Sequence, residues 1–252
     1  MEHSLSSTIH PLTDKDIDYF KYLTDNTSGW EESFDSNGVS INTRNFVGTN
    51  IRMLRASSVF AGISPAIVYD YIQDTEYRSL HNSITYNSYT VCYIDDFNSI
   101  EYLCIKCVYP LYDRDIVMQK TCIPSPDDYV IIYHSVEDEL AELDPTKVRA
   151  HTYITGYRLI PVPEGTLLTF LSHSDPKGYI PSFICNLVAK KSAPNTIASM
   201  CKESLSYLEW KESNNPLKMP WRKVEYRDKS LYASYSSIVK WGFTSSAICS
   251  SY

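Results

Sequence analysis

The chain has no apolar run near the ~18 residues that a membrane-spanning helix requires, so no span is expected. Glycine is scarce, eight residues in 252, and none of them sits in a glycine-rich phosphate loop or a G-x-S-x-G elbow. The nucleotide-binding and ester-hydrolysis signatures are therefore missing. Basic excess is missing too: 23 Lys and Arg stand against 30 Asp and Glu, and the net charge of −7 argues against nucleic acid as a partner. The opening MEHSLSSTIHPLTDKD has no basic stretch followed by an apolar one, so no secretory signal is expected. Without one, the seven cysteines read as reduced cytosolic thiols. Cys104 and Cys107 have metal-ligand spacing, but strand positions three apart point to opposite faces and no second pair accompanies them. No metal and no cofactor are expected.

What is abundant is apolar and aromatic residue, 43% and 13% of the chain, with 21 tyrosines. Tyrosine offers an apolar body and a polar tip, which suits a half-buried sheet or a cavity wall. Charge is unevenly placed. Residues 211–252 hold 7 basic and 3 acidic residues, a balance of +4, against 16 and 27, a balance of −11, in 1–210. A basic end of this kind fits either a solvated tail or an anionic membrane surface.

The pattern of elements is α+β. Thr13 caps a helix over 14–26 with Ile17, Phe20 and Leu23 on its apolar stripe, and Ser64-Pro65 opens a second helix to about Gln73. Strands are predicted at 38–44 and 51–60, then at 84–94, 99–108, 115–123, 129–135, 148–160 and 166–174. The last element is a long helix from Ile180 to Glu209. Its apolar stripe runs through Phe183, Ile184, Leu187 and Val188, then Ile197, Cys201, Leu205 and Leu208, with a kink at Pro194. A further short helix is hinted at by Leu231, Tyr235, Ile238 and Val239. Antiparallel pairing around 109–113 sets Glu101, Leu103 and Ile105 against Arg114, Ile116, Met118 and Lys120. Glu101 then lies opposite or next to Lys120, an acid and a base on an otherwise apolar face that is either buried or solvated. The strand at 148–160 has a polar face with Arg149, His151, Tyr153, Thr155 and Tyr157. Ser172-His173-Ser174-Asp175 holds nucleophile and base types, but neighbours on a strand alternate faces, so no catalytic residue is assigned.

Several ordered motifs carry a resemblance over about residues 14–210. Asp175-Pro176-Lys177-Gly178-Tyr179-Ile180-Pro181, the strand VRAHTYITGYRLIPV, Asn186, Pro194, Arg114-Asp115-Ile116-Val117 and Tyr77-Arg78 resemble the StAR-related lipid-transfer (START) domain family. The motifs are nearest to its phosphatidylcholine transfer protein-like members, with Tyr179 where the family has tryptophan. The resemblance implies a helix-grip fold: a curved antiparallel sheet closed by the C-terminal helix around a tunnel that holds one lipid. It maps the family's buried acid–base pair onto Glu101 and Lys120 and its phosphate-binding arginine onto Arg78. The aspartate that orients that arginine is here Asn82. The choline-caging aromatics fall on Leu103, Ile116 and Tyr153, leaving one aromatic of three. Thr155 completes the expected lipid contacts, and Tyr109, Leu111 and Tyr112 form an apolar tip suited to membrane contact.

The implied function is binding a phospholipid and transferring it between membranes, by a cytoplasmic monomer that acts peripherally at the membrane and has no nucleic-acid partner. The alternatives are a sterol or ceramide carrier, a lipid-gated regulatory module, or a helix-grip enzyme acting on a hydrophobic substrate. The domain is expected over 1–210, with 211–252 a basic extension.

Overall fold

The computed structural model describes residues 5–6, 8–36, 38–81, 85–136 and 144–222. Helix α1 (Asp14–Asp25) starts where Thr13 and Asp16 cap each other: the Asp16 N–H donates to Thr13 Oγ1, and the Thr13 N–H donates to Asp16 Oδ2 at 2.7 Å. Strands β1 (Glu31–Ser36), β2 (Val39–Phe46) and β3 (Thr49–Ala61) follow, then α2 (Pro65–Gln73) and α3 (Thr75–His81). A run of strands comes next: β4 (Thr85–Tyr93), β5 (Asn98–Ile105), β6 (Asp113–Ile123), β7 (Tyr129–Ser135), β8 (Lys147–Arg149), β9 (His151–Val162) and β10 (Gly165–Asp175). Helix α4 (Ser182–Ser213) closes the order. Nine strands form one curved antiparallel sheet, β1-β2-β3-β10-β9-β7-β6-β5-β4, and β8 joins it in parallel beside β6.

Strand alternation splits the core between the two faces of the sheet. Met53, Val130, Ile132 and Leu171 point to one side and bury Phe20 and Leu23 of α1. Leu54, Ile131 and Leu168 point to the other, toward α2 and the second half of α4. Gly156 is required where α1 presses on β9: a Cβ there would sit 2.1 Å from the Ile131 carbonyl oxygen and 3.0 Å from Phe20 Cζ.

Two of the predicted elements take a different form. The strand over 148–160 is two strands, because β8 leaves the line of β9 to pair with β6, and Arg149 binds the Asp115 carboxylate with two bonds of 2.9 and 3.0 Å. The larger change concerns α4. Its buried residues are Ala193, Pro194, Ile197, Met200, Ser204, Tyr207 and Lys211, while Phe183, Ile184, Leu187, Val188, Leu205 and Leu208 are exposed. The buried stripe runs back at three-and-four spacing to Asn186, whose side chain accepts from Arg52 N at 2.8 Å and donates to Asn50 O at 3.0 Å. These bonds to the start of β3 turn the Asn186 face inward and the Ile184–Leu187–Val188 face to solvent.

The expected boundary after Trp210 falls inside α4, and residues 211–222 pack against α2 and α3. Lys211 binds Asp74 at 2.8 Å, Lys218 binds Glu76 at 2.9 Å, and Arg222 pairs with Asp70. Three of the basic charges of the extension therefore meet acids of the body. The helix hinted at by Leu231–Val239 lies outside the described residues.

On the α1 side, His134 of β7 is buried opposite Gln119, and neither ring nitrogen has a partner among the described residues. Burial, with the charges of His10 and His151, holds its pKa down to about 4, and Asp16 opposes them. An unfolded histidine near 6.5 binds a proton that this one refuses, so the stabilisation is complete above pH 6.5 and is lost as pH falls toward 4. Urea titrations at pH 7 and pH 5 should show a loss of about 2 kcal/mol that His134→Leu removes. Equal pH dependence in both proteins would mean that the imidazole is charged in the fold.

Candidate functional site

A cavity of about 550 Å³ lies between α2–α3 and the strands β4, β5, β6, β7, β9 and β10. Leu103, Ile105, Ile116, Met118 and Phe170 supply apolar wall, and Tyr102, Tyr133 and Tyr157 supply aromatic wall. Hydroxyls come from Thr75, Ser79, Thr152, Thr155, Ser172 and Ser174, and charge comes from Arg78, Glu101 and Lys120. None of these lining residues belongs to α4. The cavity's concave, mostly apolar wall with a few convergent polar groups is the form of a small-molecule site.

Glu101 and Lys120 meet inside it. In the β5–β6 register Glu101 faces Met118 and Lys120 faces Ser99, so the two charges are diagonal neighbours, with Lys120 Nζ 3.6 Å from Glu101 Oε1. The carboxylate is well served by other donors: Ser99 Oγ donates at 2.6 Å, and Thr90 Oγ1 lies 3.0 and 3.2 Å from its two oxygens. Burial works against the Lys120 ammonium, but Glu101, with Cys122, Tyr133 and Tyr93, outweighs it and raises the lysine pKa. The pair also lines a second, smaller chamber of about 100 Å³, together with Gln73, Thr90, Asn98, Pro220 and Trp221.

Arg78 stands on α3, a helix absent from the sequence expectations, which Asp74 starts by accepting from Tyr77 N at 3.1 Å. The guanidinium lines the cavity and, among the described residues, makes one hydrogen bond, from Nη1 to the Ile72 carbonyl at 3.2 Å. Among the described residues no carboxylate pairs with it at salt-bridge distance. Burial disfavours its charge, yet Tyr157, Tyr133, Tyr71 and Glu203 nearby leave its pKa raised. Asn82 lies outside the described residues.

The structure brings Arg78, Glu101, Leu103, Ile116, Lys120 and Thr155 to one cavity, and it does not bring Tyr153 there. In the β9–β10 ladder His173 faces Ile154 and Ser174 faces Thr152, so Tyr153 is an extra, bulged residue. The bulge reverses the alternation. Thr152 takes the place on the cavity wall and Tyr153 stacks on His173, ring centroids 4.5 Å apart, on the far side.

At one end of the site the segment 106–112 exposes Val108, Tyr109, Leu111 and Tyr112. Arg114, itself buried, ties this segment to the turn before α4. It donates to the carbonyls of Tyr112, Pro176 and Lys177. Lys177 and Gly178 both take positive φ in that turn, and a Cβ on Gly178 would lie 3.2 Å from Arg114 Nη2. Tyr179 and Phe183, just beyond, are exposed.

The sequence model of the START domain matches residues 17–211. The chain belongs to the START domain family. Human START domain-containing protein 10 is 26% identical over 214 residues, covering 84% of this chain and 74% of that protein. Mouse phosphatidylcholine transfer protein is 23% identical over 183 residues, covering 71% and 85% respectively. The crystal structure of human STARD10 superposes with a TM-score of 0.85 at 24% identity, over 91% of this chain and 94% of that one.

Within this START domain the signature at 175–181 is part of the scaffold, since its backbone carbonyls receive Arg114 and its glycine makes room for that guanidinium. Tyr133 and Phe170 are cavity residues that sequence reasoning did not single out. Both positions follow from strand alternation once the partner strands are known, and Thr152 does not, because nothing in the local sequence marks the bulge.

Proposed function

We propose that this START domain binds one lipid, a phospholipid, in the 550 Å³ cavity and carries it between membranes without chemical change. The observation that carries this reading is an underused guanidinium in a largely apolar wall: Arg78 has five N–H donors and one acceptor among the described residues. A phosphate fills such donors in pairs, with charge-assisted bonds, where the single hydroxyl of a sterol serves one. Apolar wall is needed as well, because an acyl chain of about 14 methylenes left in water costs roughly 11 kcal/mol. The names of the relatives, a START domain-containing protein and a phosphatidylcholine transfer protein, support the same reading.

Membrane contact is assigned to two exposed apolar segments, Val108–Tyr112 and Tyr179–Val188. Arg114 holds their roots together, so they act as one surface that rests on the interface. Among the described residues no helix is long and apolar enough to cross a membrane.

The test is transfer of fluorescent phospholipid between vesicles. Arg78→Leu should lower the rate at least about tenfold, the equivalent of roughly 1.4 kcal/mol. An unchanged rate would make the arginine a structural charge and favour the sterol reading. Wild-type transfer no faster than spontaneous exchange for every lipid class would overturn the carrier itself.

A further inference from the structure

The cavity holds two cations whose donors the described residues leave largely unfilled. The Lys120 ammonium has three donors, and its ion-pair partner among the described residues, Glu101 Oε1, is 3.6 Å away, outside hydrogen-bond reach. Glu101 has little need of it, since Ser99 and Thr90 already bond to the carboxylate. Arg78 uses one of five donors on the described residues. Glu203 of α4 also attracts Arg78, but it lies outside the cavity lining and its Oε2 takes the Tyr71 hydroxyl at 2.7 Å.

The aromatic residues around these cations decide what head group fits. Tyr133 and Tyr157 line the same cavity as Lys120 and Arg78. Phe170 packs on Tyr157, ring centroids 5.1 Å apart. These three rings, with Tyr102, are the aromatic lining from which a cage for a quaternary ammonium would be built, and such a cage needs free, electron-rich faces. Here that space is shared with a guanidinium and an ammonium, which the single carboxylate of Glu101 does not balance, and like charges in a poorly solvated site repel.

We infer that the ligand is a net-anionic phospholipid, with its phosphate on Arg78 and a second oxygen of the same head group on Lys120. This rests on the carrier reading above and narrows it to a phosphate head group without a compensating cation. The Lys120 side chain is only 18% exposed, so a ligand oxygen reaching it displaces little solvent.

The experiment incubates the full chain with vesicles holding phosphatidylcholine and phosphatidylglycerol in equal amounts. The protein is then re-isolated and its bound lipid measured by mass spectrometry. Because both lipids share one vesicle, attraction of the protein to the charged surface acts on both alike. Phosphatidylglycerol is expected in at least about tenfold excess. Lys120→Met should lower that ratio at least about fivefold, and Lys120→Arg should keep it. Millimolar glycerol 3-phosphate should leave the lipid in place, and displacement by it would mean that the site serves a soluble phosphate ester instead. A wild-type ratio near one, with lipid loaded, would overturn the inference and leave the carrier standing. No lipid of either class would overturn both. The wild-type ratio decides the matter even if a variant fails to fold.

Discussion

Asp74→Asn is expected to destabilise the protein by about 3–5 kcal/mol, the range for breaking a buried ion pair from one side. Asp74 and Lys211 are both nearly excluded from solvent, with side chains 3% and 4% exposed and a contact of 2.8 Å. The carboxylate also receives the Tyr207 hydroxyl at 3.0 Å and the Tyr77 N–H at 3.1 Å, so it joins α2, α3 and α4 at one point. Without its charge, Lys211 keeps the Lys218 carbonyl at 2.8 Å and the rings of Trp210 and Trp221, 5.7 and 5.3 Å from Nζ. Those contacts do not neutralise a buried ammonium. Lys211→Met should cost less, because Asp74 retains two donors, and the double variant should cost less than Asp74→Asn alone. The measurement is urea unfolding of the four proteins. Small and additive effects would show that residues 211–222 leave the body readily and that the lysine is solvated.

Glu101→Gln is expected to cost about 3 kcal/mol, at the low end for a buried pair, since the cavity admits some solvent. The loss leaves Lys120 without the carboxylate that pairs with it among the described residues. Lys120→Met should be milder, because Ser99 and Thr90 continue to bond the carboxylate. The double variant Glu101→Gln/Lys120→Met should recover much of the Glu101→Gln loss, a coupling that a double-mutant cycle reads directly. If lipid is loaded during the measurement, an anionic ligand should stabilise Glu101→Gln more than wild type, because it supplies the missing countercharge. Equal small losses in all three proteins would place both side chains in open solvent.

Much of the site was legible in the residues themselves. The cap at Thr13, Ser64-Pro65 before α2, and the alternation of 99–105 against 114–120 are local signals, and each depends on chemistry within a few residues. The ordered motifs from Tyr77-Arg78 to Asp175–Pro181 were enough to suggest a family. Tertiary structure alone decided three matters. Helix α4 carries two apolar stripes, and the choice between them was made by Asn186 binding the backbone at Asn50 and Arg52, over 130 residues away in sequence. The bulge at Tyr153 depends on β10 as partner, since an extra residue is defined only against a neighbouring strand. Lys211, Lys218 and Arg222 read as a basic tail, and their burial or pairing was set by Asp74, Glu76 and Asp70 on helices that close on them only in the folded chain. Periodicity records which residues share a face. Which face meets the body is set by long-range partners that periodicity does not contain.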